Sequence, residues 1–217
     1  MTRVKVCGIT RAADARLVAS LGAWAIGLIF DPSSPRACEL EHAEEIAAEL
    51  RRELEVTGVF VNTPLDEVAR VVDRCGLTML QFHGEEGPAY CREAGRRTGC
   101  KVIKAARVKD AAAVRALEPF HVDYHLLDAY VEGQRGGTGQ TFAWELARGH
   151  RGAAPLVLSG GLTPENVTAA ITSAQPFAVD TASGTETSPG RKDERALKAF
   201  FRAVAGTSEA APPPVVA

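Results

Sequence analysis

Short apolar runs alternate along the chain with longer stretches in which apolar residues recur every three or four positions. We identify eight of the short runs as strands: Val4–Val6, Ala25–Phe30, Val56–Val61, Leu80–Phe82, Val102–Ala105, Tyr124–Leu127, Leu156–Leu158 and Phe177–Val179. The longer stretches place their apolar side chains on one helical face, as Leu65, Val68 and Val72 do. Strands that alternate with helices in this way are typical of a parallel sheet.

The number of these units predicts a closed sheet. Eight strands and eight helices within about 205 residues indicate an α/β fold, a single-domain (β/α)8 TIM barrel with eight parallel strands. We assign the barrel to residues 1–206, with a last helix from Asp193 to Val204. Residues 207–217 contain few core-forming side chains and three consecutive prolines, so we expect a disordered tail. Thr63-Pro64 and Thr163-Pro164 each predict an N-cap residue followed by a first-turn proline.

Composition and charge narrow the class of protein. Of the 217 residues 46% are hydrophobic and 24% are charged, and the formal net charge is −2. This near-neutral balance offers no basic surface for nucleic acid. Because no apolar run approaches the ~20 residues needed to cross a bilayer, and the N-terminus lacks the apolar region of a signal peptide, we expect a cytoplasmic protein without membrane or nucleic-acid partners.

The cysteines indicate reduced thiols. Five cysteines are scattered without a Cys-x-x-Cys pair or neighbouring histidines, which argues against a disulfide framework and against a zinc site. They are Cys7, Cys38, Cys75, Cys91 and Cys100. We therefore expect an intracellular chain with no structural metal.

The residues that follow the strands are the candidates for chemistry, because barrel enzymes build their active sites at the carboxyl ends of the strands. These residues are Cys7, Asp31, Asn62, His83, Lys104, Asp128, Ser159 and Asp180. Glycine clusters follow three consecutive strands, at Gly136-Gly137-Thr138-Gly139, Ser159-Gly160-Gly161 and Ser183-Gly184. One such cluster suits a tight turn, but three on adjacent loops predict a phosphate site, which barrels commonly place beside strands seven and eight. We therefore expect a phosphorylated small-molecule substrate.

Several longer motifs, taken together, resemble those of the phosphoribosylanthranilate isomerases. They run in register from the first strand to the eighth: Lys5-Val6-Cys7-Gly8-Ile9-Thr10, Phe30-Asp31-Pro32-Ser33-Ser34-Pro35-Arg36, Gly58-Val59-Phe60-Val61-Asn62, Gln81-Phe82-His83-Gly84, Leu126-Leu127-Asp128, the loop from Gly136 to Phe142 and the segment from Leu158 to Val167. The resemblance implies an enzyme of tryptophan biosynthesis. It would convert N-(5-phosphoribosyl)anthranilate to 1-(2-carboxyphenylamino)-1-deoxyribulose 5-phosphate by an Amadori rearrangement, with no metal and no cofactor.

The same resemblance implies roles for individual residues. Cys7 would be the base that removes the proton from sugar C2, and Asp128 would be the acid that protonates the ring oxygen. Arg36 would pair with the anthranilate carboxylate. The remaining substrate-binding residues would line the pocket or bind phosphate: Gln81, His83, Gly137, Gly139, Gly160, Gly161, Ser183 and Gly184. The long stretch Ala129–Thr141 suits a lid over the substrate.

The proposed base requires help to ionise. A free thiol has a pKa near 8.5, so little thiolate exists at neutral pH. Lys5 precedes Cys7 by two residues and therefore points to the same side of the strand, where its ammonium group would favour the thiolate. Asp128 has the opposite need, since it must hold a proton in order to donate one.

Two departures from the family pattern and two alternative functions stay open at this point. Ala143 stands where the family has an aspartate, and Thr181-Ala182 replaces a more apolar residue followed by serine. The first alternative is the histidine-pathway isomerase, which performs the same rearrangement but has an aspartate in place of Cys7. The second is a noncatalytic binder of sugar phosphates. We expect a monomer or homodimer in either case.

Overall fold

Eight parallel strands close into a barrel in the computed structural model, which describes residues 1–128 and 144–209. Their order around the barrel follows the chain, and the eighth strand pairs with the first through Arg3 to Val6. The (β/α)8 prediction is confirmed. The strands are β1 (Arg3–Cys7), β2 (Ala25–Ile29), β3 (Glu55–Phe60), β4 (Met79–Phe82), β5 (Lys101–Arg107), β6 (Tyr124–Asp128), β7 (Leu156–Ser159) and β8 (Ala178–Thr181).

Helices follow the strands on the outside of the barrel. They are α1 (Ala12–Ser20), α2 (Leu40–Leu50), α3 (Leu65–Cys75), α4 (Pro88–Thr98), α5 (Ala111–Arg115), α6 (residues 144–148), α7 (Val167–Ala174) and α8 (Glu194–Glu209). Helix α8 continues into the first three residues assigned to the tail, and residues 210–217 lie outside the described part of the chain. None of the helices in the described ranges is long and apolar enough to span a bilayer.

The two predicted helix starts are wrong in detail. Pro64 is the N-cap of α3 rather than its first residue, since its carbonyl accepts the N–H of Val68 at 3.1 Å. Helix α7 begins only at Val167, and the hydroxyl of Thr163 accepts the N–H of Glu165 at 3.3 Å within the preceding turn. A proline fixes its own φ angle but does not determine which residue makes the first hydrogen bond of the helix. The start of a helix can therefore lie one or more residues from the position that the proline suggests.

The interior of the barrel changes character along its axis. The layers nearer the amino-terminal ends of the strands are apolar. They contain Ala25, Met79, Ile103, Ala105, Leu126, Val157 and Ala178. At the amino-terminal ends of the strands Trp24, Tyr124 and Phe177 close the barrel, with ring centroids 5.0–5.3 Å apart. Polar side chains replace the apolar ones toward the carboxyl ends of the strands, where Lys5 and Asp180 are buried. The packed amino-terminal end of the barrel therefore contributes to stability, and the polar carboxyl-terminal end is the place for an active site.

A small hairpin, absent from the predicted elements, follows β8. A 3-10 turn (Ser183–Thr185) leads into β9 (Glu186–Ser188), which pairs antiparallel with β10 (Arg191–Lys192). Gly190 takes a φ of 76° in the connecting turn, and its carbonyl accepts a hydrogen bond from Thr10 at 2.7 Å. The hairpin thus lies against the loop that leaves β1.

Candidate active site

Cys7 ends β1 inside the barrel, and Lys5 lies in the same interior, as the alternation of side chains predicts. Gly27 on the neighbouring strand β2 makes room for both. A Cβ atom at Gly27 would lie 2.7 Å from the Cys7 sulfur and 3.2 Å from Lys5 Nζ. Any larger residue at this position would displace the thiol or the ammonium group.

Lys5 forms a buried ion pair with Asp180 of β8. Its Nζ lies 3.1 Å from each carboxylate oxygen, and the lysine side chain is completely inaccessible to solvent. Burial alone would lower the pKa of Lys5, but Asp180 and Cys7 together outweigh it and the pKa is raised. Lys5 therefore stays positively charged next to the thiol, and Asp180, one of the candidates at the strand ends, is the partner of this lysine.

Opposing influences act on the Cys7 thiol: burial and the Asp180 carboxylate favour its neutral form, whereas two nearby ammonium groups favour its anion. Burial raises the pKa of Cys7 above the ordinary value, and the ammonium groups of Lys5 and Lys192 act in the opposite direction. Lys192 comes from the hairpin, and its Nζ donates a hydrogen bond to the Cys7 carbonyl at 2.6 Å. The resting thiol is therefore protonated, with two cations placed to stabilise the thiolate once it forms.

Asp128 ends β6 and faces His83, which follows β4. Asp128 Oδ2 lies 3.6 Å from His83 Nε2, and Nδ1 of the same ring lies 3.4 Å from the amide nitrogen of Gln81. About a fifth of the Asp128 side chain and a quarter of the His83 side chain are exposed, so both are accessible from the open end of the barrel.

Arg36 lies on the loop between β2 and α2 and crosses the loop after Cys7. Gly8 permits this approach, because it has a φ of 75° and a Cβ there would lie 2.7 Å from Arg36 Cδ. The guanidinium pairs with Glu186 of the hairpin through Nε, at 2.9 and 3.1 Å, and through Nη2, at 2.8 Å. The structure therefore brings Arg36 next to the Cys7 end of β1.

The loops after β7 and β8 contact one another. Gly160 and Gly161 take φ values of 100° and 63°, and a Cβ on Gly184 would lie 2.0 Å from the carbonyl oxygen of Leu162. Thr181, one of the two departures, donates from its hydroxyl to the same carbonyl at 3.0 Å and so joins the two loops. Their glycine-rich backbones meet at one place, as a shared anion site requires.

Part of the predicted site falls on residues outside the described ranges. These are Gly137 and Gly139, the lid assigned to Ala129–Thr141, and the departure at Ala143. Asp128 lies next to this segment in the sequence and is the last residue described before it.

Three of the polar residues at strand ends do not face the barrel interior, which corrects the expectation that all eight line the site. Lys104 points into the helix layer and pairs with Glu86 at 2.9 Å, because it has the parity of Val102 rather than of Ile103. Asp31 accepts from the N–H of Ser33 at 3.0 Å, and the side chain of Asn62 accepts a backbone N–H at 2.7 Å. Asp31 stabilises its own loop, whereas Asn62 accepts from Glu85 and joins the loop after β3 to the loop after β4.

The sequence patterns do not single out Glu186 and Lys192, which pair with Arg36 and donate to the Cys7 carbonyl, respectively. A signal for them exists in Pro189-Gly190, a dipeptide typical of turns, which separates the two short strands of the hairpin. The pattern indicates a turn there, but it does not show which strand end the hairpin reaches.

The chain is similar to known isomerases over nearly its whole length. Residues 4–203 match the sequence model of N-(5'phosphoribosyl)anthranilate (PRA) isomerase. The N-(5'-phosphoribosyl)anthranilate isomerase of Rubrobacter xylanophilus is 48% identical over 204 residues, 94% of this chain and 98% of that protein. The crystal structure of phosphoribosyl anthranilate isomerase from Thermotoga maritima superposes with a TM-score of 0.86 at 41% identity, covering 95% of this chain and all of that one.

A second solved structure identifies a ligand of such a relative. It is a phosphoribosyl anthranilate isomerase in complex with reduced 1-(o-carboxyphenylamino)-1-deoxyribulose 5-phosphate, with a TM-score of 0.82 and 38% identity over 95% of this chain and all of that one.

Proposed function

The chain belongs to the N-(5'-phosphoribosyl)anthranilate isomerase family, and we propose that Cys7 and Asp128 carry out the two proton transfers of its reaction. The protein is an isomerase of tryptophan biosynthesis, which converts N-(5'-phosphoribosyl)anthranilate to the corresponding aminoketose by an Amadori rearrangement. One observation carries the proposal. Cys7 and Asp128 end two strands of the same barrel, β1 and β6, at its open end.

The reaction is an internal transfer of hydrogen, so it needs an acid and a base. Asp128 donates its proton to the ring oxygen of the ribose as the C1–O bond breaks, and the nitrogen lone pair forms an iminium with C1. Cys7, as the thiolate, then removes the proton from C2 and an enolamine results. Tautomerisation of the enolamine gives the aminoketose, with no net gain or loss of atoms or electrons.

The surroundings of Cys7 suit a base that is needed only when substrate is present. Lys5 and Lys192 place positive charge near the sulfur, while burial keeps the thiol neutral in the free enzyme. A neutral thiol is less prone to oxidation than a permanent thiolate. The structure therefore supports a thiol that first releases its proton to solvent, and a thiolate that Lys5 and Lys192 then stabilise while it takes the proton from C2.

The substrate extends across the barrel from Arg36 to the loops after β7 and β8. Arg36 pairs with the anthranilate carboxylate, and Gln81 and His83 line the pocket between Cys7 and Asp128. The phosphate lies at the other side, where the backbones of two loops meet. Its ligands are the backbone groups of Gly160, Gly161, Ser183 and Gly184, together with Gly137 and Gly139 of the loop after β6.

We also assign the catalytic domain to residues 1–206 and the site of action to the cytoplasm. The five cysteines are all free and buried, which suits a compartment that keeps thiols reduced. A monomer or homodimer stays a prediction, and sedimentation equilibrium would decide between the two.

The direct test follows the fluorescence of enzymatically generated phosphoribosylanthranilate. We expect the wild-type chain to accelerate its decay, and Cys7→Ala and Asp128→Asn each to reduce kcat by at least about 100-fold, since positioned acid–base groups contribute 10²–10⁴-fold. Cys38→Ala is the matched control for the thiol, because Cys38 and Cys7 are both 7% exposed. Asp110→Asn is the control for the carboxylate, because either residue caps a helix well.

The outcomes separate the proposal from its alternatives. Full activity in Cys7→Ala would exclude the thiol as the base. Turnover of the histidine-pathway aminoaldose, and not of phosphoribosylanthranilate, would favour the first alternative. Ligand binding without turnover of either substrate would favour the noncatalytic binder.

A further inference from the structure

We propose that Glu186 and Lys192 are positioning residues that fix the orientation of Arg36 and thereby determine the selectivity of the site for a substrate with an aromatic carboxylate. We call the three side chains the hairpin clamp. Its carboxylate and its ammonium group come from β9 and β10, and the arginine comes from the loop after β2. This inference rests on the proposed role of Arg36.

Lys192 connects the hairpin clamp to the ends of β1 and β8. Its Nζ lies 2.9 Å from Glu186 Oε1, 2.6 Å from the Cys7 carbonyl and 3.3 Å from the Ala182 carbonyl. An ammonium group has three protons, so these three acceptors account for all of them. The lysine side chain is fully buried, and its backbone N–H donates to Asp14 at 3.2 Å. Lys192 therefore cannot shift without breaking contacts to the ends of both β1 and β8.

Glu186 transmits this fixed position to Arg36. Its side chain is only 3% exposed, so water does not compete for the carboxylate. It accepts from Lys192 and from the N–H of Gly190 on one side, and from Nε and Nη2 of Arg36 on the other. Although burial opposes it, pairing with Arg36 and Lys192 lowers the pKa of Glu186. The carboxylate is therefore ionised at neutral pH and holds one edge of the guanidinium.

The geometry of the pair leaves a second edge of Arg36 for a ligand. Glu186 occupies the edge formed by Nε and Nη2, and within residues 1–128 and 144–209 the Nη1 group has no hydrogen-bond partner. A guanidinium presents five N–H groups in a planar fork and can bind two carboxylates along different edges. The edge between Nη1 and Nη2 remains for the planar carboxylate of the substrate, at an angle set by Glu186.

This arrangement provides selectivity in addition to affinity. An arginine on an exposed loop must lose side-chain entropy when it binds a carboxylate. Arg36 has already been ordered, because Glu186 pairs with its head and Gly8 lies against its stem. Because Arg36 is already ordered, binding of a carboxylate costs less side-chain entropy. Only ligands that carry the carboxylate benefit, since the rest of the substrate contacts other elements.

The experiment measures how the clamp affects two ligands that differ by one group. Titration calorimetry determines Kd for reduced 1-(o-carboxyphenylamino)-1-deoxyribulose 5-phosphate and for the same molecule without the ring carboxylate. We expect the wild-type chain to prefer the carboxylated ligand. Glu186→Gln should raise Kd for the carboxylated ligand by about tenfold, which corresponds to the loss of roughly one charge-assisted contact. Kd for the other ligand should change by no more than about twofold. Glu49→Gln, in a surface pair with Arg16, is the control and should change neither value.

Further variants make the result decisive. Arg36→Met should abolish the preference for the carboxylated ligand. A preference retained in Arg36→Met would refute the proposed role of Arg36 itself. A preference lost in Arg36→Met but intact in Glu186→Gln would overturn the clamp alone, as would equal weakening of both ligands, which a merely structural role predicts. If Glu186→Gln does not fold, Glu186→Asp retains the charge but withdraws the carboxylate by one methylene, and it should lose the same preference.

Discussion

Removal of Lys5 should destabilise the barrel severely, because it leaves a buried carboxylate unpaired. Asp180 is 4% exposed, and both its oxygens accept from Lys5 at 3.1 Å. Breaking a buried pair by deleting one partner costs about 3–5 kcal/mol, which corresponds to a fall of roughly 6–20 °C in Tm for a domain of this size. Lys5→Met therefore removes a large share of a typical stability of about 5–15 kcal/mol.

The loss of stability in Lys5→Met should depend on pH, and most of it should be recovered when the Asp180 carboxylate is also removed. Burial raises the pKa of Asp180 and Lys5 lowers it, so without Lys5 the folded state holds a proton more tightly than the unfolded chain does. The deficit of Lys5→Met is thus expected to shrink as the pH falls toward the unfolded value of about 3.9 and to grow as the pH rises. Lys5→Met/Asp180→Leu, which replaces the pair with apolar groups, should recover most of the stability.

Urea denaturation at pH 5 and pH 7.5 provides the free energies of unfolding. Lys198→Met is the control, because Lys198 forms an exposed pair with Glu194 on α8 and should cost about 0–1 kcal/mol. The reasoning is refuted if Lys5→Met costs no more than the control, or if the double variant is less stable than the single one.

Three further predictions concern catalysis and stability. Lys5→Met should move the acidic limb of kcat/KM to higher pH, since the thiolate loses an attracting charge, and a pH–rate profile that does not move would remove this role. Gly184→Ala should raise KM and lower stability by about 1–3 kcal/mol because its Cβ has no room. The control Gly206→Ala lies within α8 and meets no atom within 4 Å, so it should not lower stability. Burial lowers the pKa values of His125 and His150, so their contribution to stability is complete above about pH 6.5 and is lost as the pH falls through the folded values; urea midpoints for His150→Gln should depend less on pH.

Much of the barrel could be predicted because each strand is a local pattern. All eight predicted strands lie within two residues of the observed bounds at both ends, and the largest differences are at the carboxyl ends of β5 and β8. The residues of the site that follow strand parity, such as Lys5 with Cys7, were predicted for the same reason. Parity also explains the failure at Lys104, since a residue at a strand end faces the barrel only if it has the parity of the interior positions.

Sequence patterns predict that the barrel closes, but they do not reveal which residues meet where β8 pairs with β1, and those contacts complete the site. Lys5 and Asp180 are 175 positions apart, and Lys192 is 185 positions from Cys7, yet each pair is in direct contact. These contacts exist because β8 pairs with β1 and brings the following hairpin over the first loop. Local sequence periodicity does not predict contacts between residues so far apart in the chain. A variant that loosens the β1–β8 seam should therefore impair Cys7 and Arg36 together, even though it touches neither side chain.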